Sequence, residues 1–294
     1  MPTDILNQLT IVIPAKNEAQ NLASHLSEIV GLYPNIPLVV VDDGSSDSTG
    51  EVARNSGATV ITHPYSLGNG GAIKSGARAV KTKYVLFMDA DGQHKPEDIK
   101  KLVESMASGF KMVIGARVAS SHASLPRRVM NLLYNGIASM MTGIKILDLT
   151  SGFRIVESKL FNQFIYLLPN GFSYPTTITM AFLRSGLPIR YVSIEARQRE
   201  GKSKIRPLHD GVKFLIIIMK VGALFSPMRL FLPISLGLFT VGVGYYLYTF
   251  LTENRFTNMG AVLLLTSILV FLIGIISEQI SSLHYQASQP NDEE

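Results

Sequence analysis

The chain has 294 residues, a formal net charge of +5 and neither cysteine nor tryptophan, so a disulfide framework, a thiolate metal site and a cysteine nucleophile are all excluded. Its length allows one large domain or two smaller ones, and its mean hydropathy is positive, with most of the apolar runs in the last third. The basic residues bunch between Arg184 and Arg229, beside apolar runs and without the aromatic interleaving of a nucleic-acid module, which points to phosphates or anionic lipid and away from nucleic acid.

The first residues lack a charged segment followed by an apolar one, so no signal peptide is expected. Residues 10–14 predict a short buried strand ending in the turn Ala15, Lys16, Asn17, Glu18. A helix is predicted over 19–32, with Leu22, Leu26, Ile29 and Val30 at helical spacing. Residues 38–41 form a second apolar strand that runs into Asp42, Asp43, Gly44, Ser45, Ser46 and Asp47. Asp47 or Ser48 can cap a helix reaching Ser56, with Gly57 as its stop. A third strand follows over 58–62, then a glycine-rich turn, Gly68-Asn-Gly-Gly71, opening a helix through Val80. A dinucleotide fingerprint would follow the first strand and keep a third small residue where this chain has Ile73, so a nicotinamide site is disfavoured. The glycines instead suit a tight turn into a helix whose N-terminus could face an anion.

Residues 83–88 are a fourth strand, delivering Asp89 and Asp91, a turn at Gly92, and the polar pair Gln93 and His94. Two carboxylates one residue apart at a strand end invite a cation, and oxygen donors suit Mg²⁺ or Mn²⁺; a solvated turn with a helix cap is the alternative. Strands alternating with helices predict an α/β fold with a parallel sheet and right-handed crossovers, whose ligands sit beyond the carboxyl ends of the strands. Pro14, Asp43 and Asp91 all fall at such ends. Beyond them come a helix over 96–108, entered through a proline, a strand over 111–117 ending in Arg117, and an amphipathic helix over 127–141 carrying Arg128 and Asn131. A short loop over 148–154 holds Asp148, Thr150, Ser151 and Arg154. A helix towards Arg184, an edge strand over 189–194 and a basic loop over 197–206 complete the first part.

Past Pro207 the character changes. Residues 210–225 are strongly apolar but interrupted by Lys213 and Lys220, as in a basic amphipathic helix at a membrane surface, with a buried core helix as the alternative. Residues 230–251 are an uncharged run, about 33 Å long at the standard helical rise, enough to span a bilayer. A second apolar run covers 260–277. Lys213, Lys220 and Arg229 precede the first run, so the positive-inside rule places the N-terminal domain in the cytosol. The expected organisation is therefore 1–207 as a cytosolic domain, 208–229 as an amphipathic juxtamembrane helix, and 230–294 as a two-helix anchor with a short cytosolic tail.

The motifs Ile13-Pro-Ala-Lys-Asn-Glu18, Val41-Asp-Asp-Gly-Ser-Ser-Asp47, Gly68-Asn-Gly-Gly71, Asp89-Ala-Asp91, Ser151-Gly-Phe-Arg154 and Gly201-Lys-Ser-Lys204 occur in order. Together they resemble family 2 glycosyltransferases of the GT-A fold, and within them the dolichyl- or polyprenyl-phosphate sugar synthases that carry a membrane anchor. The resemblance implies a mostly parallel GT-A sheet, with Pro14, Ala15 and Glu18 lining the nucleotide pocket and Asp43 accepting hydrogen bonds from base or ribose. It assigns Asp89, Asp91 and Gln93 to a divalent metal, Mg²⁺ or Mn²⁺, and Arg117, Arg128 and Lys204 to the donor diphosphate or acceptor phosphate. The implied reaction is an inverting attack by a lipid monophosphate on a nucleotide-activated sugar, with Asp91 at the metal and Asp148 as the candidate base or, equally, a cap on the 150–151 loop. Partners would be a nucleotide-sugar donor, a polyprenyl or dolichyl phosphate and the bilayer. Small residues Gly237, Gly242 and Gly244 permit close helix packing, including a homo-oligomer. Polymerising members carry a Gln-x-x-Arg-Trp motif that a chain without tryptophan lacks. Some mannose synthases carry an acid where this chain reads Tyr174-Pro-Thr-Thr177, which puts mannose in doubt. Transfer to a hydroxyl of a lipid-linked glycan and a non-catalytic nucleotide-binding scaffold are the competing expectations.

Overall fold

The computed structural model describes residues 2–117, 125–171, 174–195, 197, 219–220, 222–223, 226–255 and 257–286. Contacts divide the chain into two compact units, Met1–Asn135 with Lys145–Gly211, and Gly136–Ile144 with Val212–Glu294.

The first unit is built on a seven-stranded sheet of order β3-β2-β1-β4-β6-β5-β7. Its strands are β1 (Leu9–Ala15), β2 (Leu38–Asp42), β3 (Thr59–Thr62), β4 (Tyr84–Phe87), β5 (Met112–Arg117), β6 (Arg154–Glu157) and β7 (Ile189–Ile194). β1, β2 and β4 are continuous apolar runs because helices cover both faces of the sheet, so no polar face has to alternate with the apolar one. On one face Ile11 and Ile13 of β1 pack with Leu22, Leu26 and Ile29 of α2 (Ala19–Leu32), Ala53 of α3 (Thr49–Asn55), and Ile99 and Leu102 of α5 (Asp98–Met106); α1 (Pro2–Leu6) adds Ile5 to the same cluster. On the other, α4 (Asn69–Ala79) lies so close that a Cβ on Gly76 would stand 2.3 Å from Val12 Cγ1.

Two features depart from the expected pattern. The segment 148–154, read as a loop, ends by starting β6, which inserts antiparallel between β4 and β5 through Leu86↔Ile155 and Val113↔Ile155. Fully buried Ile155 and Val156 give so short a strand no periodic signal. The second is the N-terminus of α4, which faces protein acceptors: the Gly70 and Gly71 N–H groups donate to the Gly171 and Asn170 carbonyls, at 3.1 and 3.0 Å. A Cβ on Gly70 would lie 2.0 Å from the Pro169 oxygen, so glycine is needed there for the approach of that loop.

Three further helices are α6 (Leu125–Thr142), α7 (Ser158–Gln163) and α8 (Tyr174–Arg184). In the second unit, α9 (Pro227–Glu253) and α10 (Asn258–Gln286) are both long and apolar enough to cross a membrane and extend beyond the runs read from sequence. Gly242 of α9 faces Leu263 and Leu264, and Gly274 of α10 faces Phe231, where a Cβ would come within 2.9 Å of the ring-bearing carbon. Hydroxyls of Ser235, Thr240, Thr249, Thr252 and Ser267 donate to carbonyls three or four residues back, so they present no unmet donor to lipid. Of the interfacial helix expected over 208–229, Lys213 and most neighbours lie outside the described residues.

Candidate active site

The carboxyl ends of β1, β2 and β4 converge where the sheet order reverses, with β2 and β3 laid to one side of β1 and β4 to the other. This is the switch point at which α/β sheets bind ligands. Pro14 has a specific part in it. The last bond of the β1–β4 ladder runs from the Met88 N–H to the Val12 carbonyl at 3.1 Å, and the next donor on β1 would be residue 14. Proline has no N–H, so the ladder stops and the two strand ends are free to part.

The turns after β1 and β2 are stitched into one wall. The Asn17 N–H donates to Ser45 Oγ at 3.0 Å and Ser46 N–H returns to Asn17 Oδ1 at 2.8 Å. The Glu18 N–H donates to Thr49 Oγ1 at 3.0 Å, and the Glu18 carboxylate accepts from Asn21. Asp47 accepts from the Thr49 N–H and hydroxyl and from the Ala19 N–H, so although Ser48 occupies the N-cap position of α3 without a side-chain cap bond, it is Asp47 that receives a donor at the start of the helix. Asn17 itself is held at φ 54°, a conformation asparagine tolerates.

Asp43 is buried, and its carboxylate accepts four bonds: from Ser66 Oγ at 2.6 Å, the Leu67 N–H at 2.7 Å, the Gly68 N–H at 2.9 Å, and His63 Nδ1 at 2.8 Å. His63 Nε2 in turn meets Ser75 Oγ at 2.9 Å. Burial alone would raise the Asp43 pKa; the bonds from His63, Ser66 and the two amides outweigh it and hold the group below the ordinary carboxylate range. The anion expected at the start of α4 is thus the protein's own carboxylate. His63 and Ser66 were not singled out from sequence, since only the fold brings them to Asp43.

At the end of β4, Asp91 Oδ1 accepts the Gln93 N–H at 3.2 Å across the turn at Gly92 (φ 69°). The Gln93 carbonyl accepts from the Arg197 N–H at 2.8 Å. Asp89 Oδ2 stands 3.4 Å from His94 Nε2, and its side chain is 38% exposed. Burial would push the Asp89 pKa up, but the His94 bond and the charges of Arg117 and Arg154 bring it below its ordinary value. Opposite lies Gly152, where a Cβ would be 2.8 Å from both Asp89 oxygens, so the glycine leaves a cradle for this carboxylate. Among the described residues no group of three acidic or histidine side chains converges. Asp89 and Asp91 are hard oxygen donors of the kind that suit Mg²⁺ and Mn²⁺, ions that also take waters and substrate oxygens.

Arg117, at the end of β5, forms a two-pronged pair with Asp148, Nε to Oδ2 at 2.8 Å and Nη2 to Oδ1 at 3.0 Å, and also donates to Thr150 Oγ1. Asp148 further accepts from the Thr150 N–H and hydroxyl, both at 3.1 Å. Burial opposes ionisation of Asp148, yet Arg117 and these bonds hold its pKa down. A carboxylate engaged on both oxygens and depressed in pKa is a weak proton acceptor, so its geometry is that of the cap and anchor rather than of a base. Arg117 keeps its charge more firmly than usual: burial works against it, and Asp148, Asp89 and Asp91 prevail.

Arg154 is fully buried. Its guanidinium donates to the Pro175 carbonyl and to Thr179 Oγ1, each at 3.1 Å, and to the Ser151 carbonyl, with the Tyr174 ring 5.8 Å away. It braces the 151–153 backbone from below. Of the other expected phosphate ligands, Arg128 sits on α6 with its side chain outside the described residues, and Lys204 lies outside them altogether. Pro14 and Ala15 close β1, and Glu18, Asp43, Asp89, Asp91 and Gln93 follow the carboxyl ends of β1, β2 and β4, which are neighbours in the sheet.

Residues 10–165 match the model of glycosyl transferase family 2, and residues 226–283 match that of the GtrB C-terminal hairpin. Uncharacterized protein MJ1222 of Methanocaldococcus jannaschii is 36% identical over 157 residues, which cover 50% of this chain and 64% of that protein's own length. A dolichyl-phosphate hexose transferase of Haloferax volcanii is 30% identical over 217 residues, covering 73% of this chain and 94% of the relative. Among solved structures, glucosyl-3-phosphoglycerate synthase from Mycobacterium tuberculosis, in complex with Mn²⁺, uridine diphosphate and phosphoglyceric acid, superposes with a TM-score of 0.60 at 22% identity. The match covers 73% of this chain and 78% of that one.

Proposed function

The chain belongs to glycosyl transferase family 2, and from that premise we propose that it moves a sugar from a nucleoside-diphosphate donor to a polyprenyl or dolichyl phosphate at a membrane. The observation that carries this reading is the position of Asp89 and Asp91 just past the end of β4, at the switch point of the sheet where the stitched turns after β1 and β2 also lie. The hairpin of α9 and α10 and the relative named for dolichyl-phosphate hexose transfer support a lipid acceptor.

In this proposal Pro14, Ala15 and Glu18 bound the donor's nucleoside, on a wall that Asp43 and Asp47 keep rigid. Asp89 and Asp91, with Gln93 beside them, would hold Mg²⁺ or Mn²⁺. When bound, such an ion supplies Lewis-acid neutralisation of the departing diphosphate. Arg117, locked by Asp148, presents a fixed positive charge to substrate phosphate, and a charge already oriented needs no reorganisation as the bond breaks. A lipid phosphate is anionic near neutral pH and can attack the anomeric carbon without a strong base, in one displacement that inverts it. A sugar hydroxyl acceptor would need that base, and the engagement of Asp148 on both oxygens speaks against that second reading. Arg128 and Lys204 are proposed as further phosphate contacts. The proposal keeps 1–207 as a cytosolic catalytic domain, 208–229 as an interfacial helix and 230–294 as the anchor, with the basic residues before α9 setting the orientation.

The test is a thermal-shift screen of detergent-purified protein against UDP, GDP and CDP, with and without Mn²⁺, followed by product analysis with the matching nucleotide sugars and polyprenyl phosphate. A bound ligand raises apparent stability by mass action. The expected result is a metal-dependent shift with one nucleotide, abolished by Asp91→Asn, and a lipid-phosphate-linked sugar as product. Folded protein that shifts with none of the nucleotides and forms no such product would overturn the proposal.

A further inference from the structure

The Ser151-Gly-Phe-Arg154 motif and His94 have no place in the reaction just described, yet they enclose Asp89. All three carbonyls of residues 151–153 are engaged: Ser151 by Arg154, Gly152 by the Tyr174 hydroxyl at 3.4 Å, and Phe153 by the Gly115 N–H at 2.9 Å. The backbone facing Asp89 is therefore fixed from behind. Gly152 sets the clearance, since a Cβ would touch both carboxylate oxygens. The Phe153 ring is fully buried, packs against Gly115, and stacks on the His94 imidazole with centroids 4.9 Å apart and planes 15° from parallel. His94 is itself only 4% exposed. Its Nδ1 is buried without a hydrogen-bond partner, whereas Nε2 faces Asp89 Oδ2. A neutral imidazole carries one N–H, and only at Nε2 does that hydrogen find an acceptor.

We infer that His94, Gly152 and Phe153 form a mount that orients Asp89 for the divalent cation, with His94 acting as a positioning residue through Nε2–H and Phe153 holding its plane. This rests on the metal reading proposed above. The physical logic is that of other metal sites, where a group hydrogen-bonded to a ligand fixes its rotamer and its loss weakens metal binding by about 10- to 100-fold. A carboxylate with free rotation would have to be ordered on each binding event; here the ordering is built into the fold.

Electron paramagnetic resonance of free Mn²⁺ measures the affinity directly, with Mn²⁺ alone and with UDP or GDP added, on the full chain in detergent. Two amides separate the positioning role from bulk: glutamine places its nitrogen where Nε2 lies, while asparagine reaches only as far as Nδ1. We expect His94→Gln to stay within about 3-fold of the wild type, and His94→Asn and Gly152→Ala to lose about 10-fold or more. Melting in metal-free buffer identifies which variants are folded. Should Gly152→Ala fail to fold, the glutamine–asparagine contrast still decides. Folded His94→Asn and Gly152→Ala proteins that bind Mn²⁺ as tightly as the wild type would overturn the mount alone. Wild-type protein that takes up no Mn²⁺ with either nucleotide would overturn the metal reading, and the mount with it.

Discussion

His25 provides a quantitative test of the packing around α2. It lies on the core face of that helix, 2% exposed, with no hydrogen-bond partner at either ring nitrogen. Burial lowers its pKa from 6.5 to about 4; Glu28 works in the opposite direction, and His94 and Arg197 add to the lowering. Above the unfolded value both states hold a neutral ring and the group has no effect on stability. As the pH falls below about 6.5 the unfolded chain takes up a proton that the folded one refuses, so stability is lost between there and about pH 4. The two pKa values give a loss of about 2 kcal/mol at pH 5, approaching about 3 kcal/mol near pH 4. For a unit of this size that is roughly 4–8 °C in Tm at pH 5. His25→Leu removes the proton site and breaks no hydrogen bond, so it should melt no lower than the wild type near pH 7.5. The assay is circular-dichroism melting of both proteins from about pH 7.5 to 4.5, read as the difference between them, which cancels the other titrating groups. Parallel curves, with the wild type losing no more stability than His25→Leu on acidification, would refute the burial argument.

Asp148→Asn should destabilise the folded chain by about 2 kcal/mol, less than the loss of a fully buried partner because the Arg117 side chain is 36% exposed. Since the folded Asp148 pKa is lowered, that stability is present above the unfolded value and disappears as pH falls through the folded one, so wild type and variant should converge in acid. Urea titrations at neutral and acidic pH would show it. Gly70→Ala drives a Cβ towards the Pro169 oxygen and should lower Tm by several degrees through displacement of the 168–171 loop, a change visible as faster hydrogen exchange at Gly70 and Gly71. The cysteine-free background suits topology mapping: a single Ser45→Cys should label in intact spheroplasts only with membrane-permeant maleimide, whereas Asn258→Cys, at the start of α10, should label with impermeant reagent. The reverse pattern would overturn the proposed orientation.

Much of this architecture is written locally. The apolar runs that became β1, β2 and β4, the helical spacing of Leu22, Leu26 and Ile29, and the apolar lengths of α9 and α10 each depend on neighbours within one element, and they appear where the periodicity places them. The Asp89-x-Asp91 pair is equally local, because a strand end followed by a glycine turn needs no distant partner to present two carboxylates. β6 could not be read this way. Its partners lie far along the chain, it is short, and burial on both faces erases alternation.

The same distinction divides the site. Composition, periodicity and motif order alone determined that this chain has an α/β sheet with a carboxylate pair at a strand end, followed by an apolar hairpin, since both follow from local runs. Only the tertiary structure decided what the charged residues do with one another. It turned Asp43 towards His63, Ser66 and the start of α4, tied Asp148 to Arg117, and set Asp89 between His94 and Gly152. A hydrogen bond requires its two atoms within about 3 Å, and the chain separating them says nothing about that distance until the sheet order brings the strand ends together.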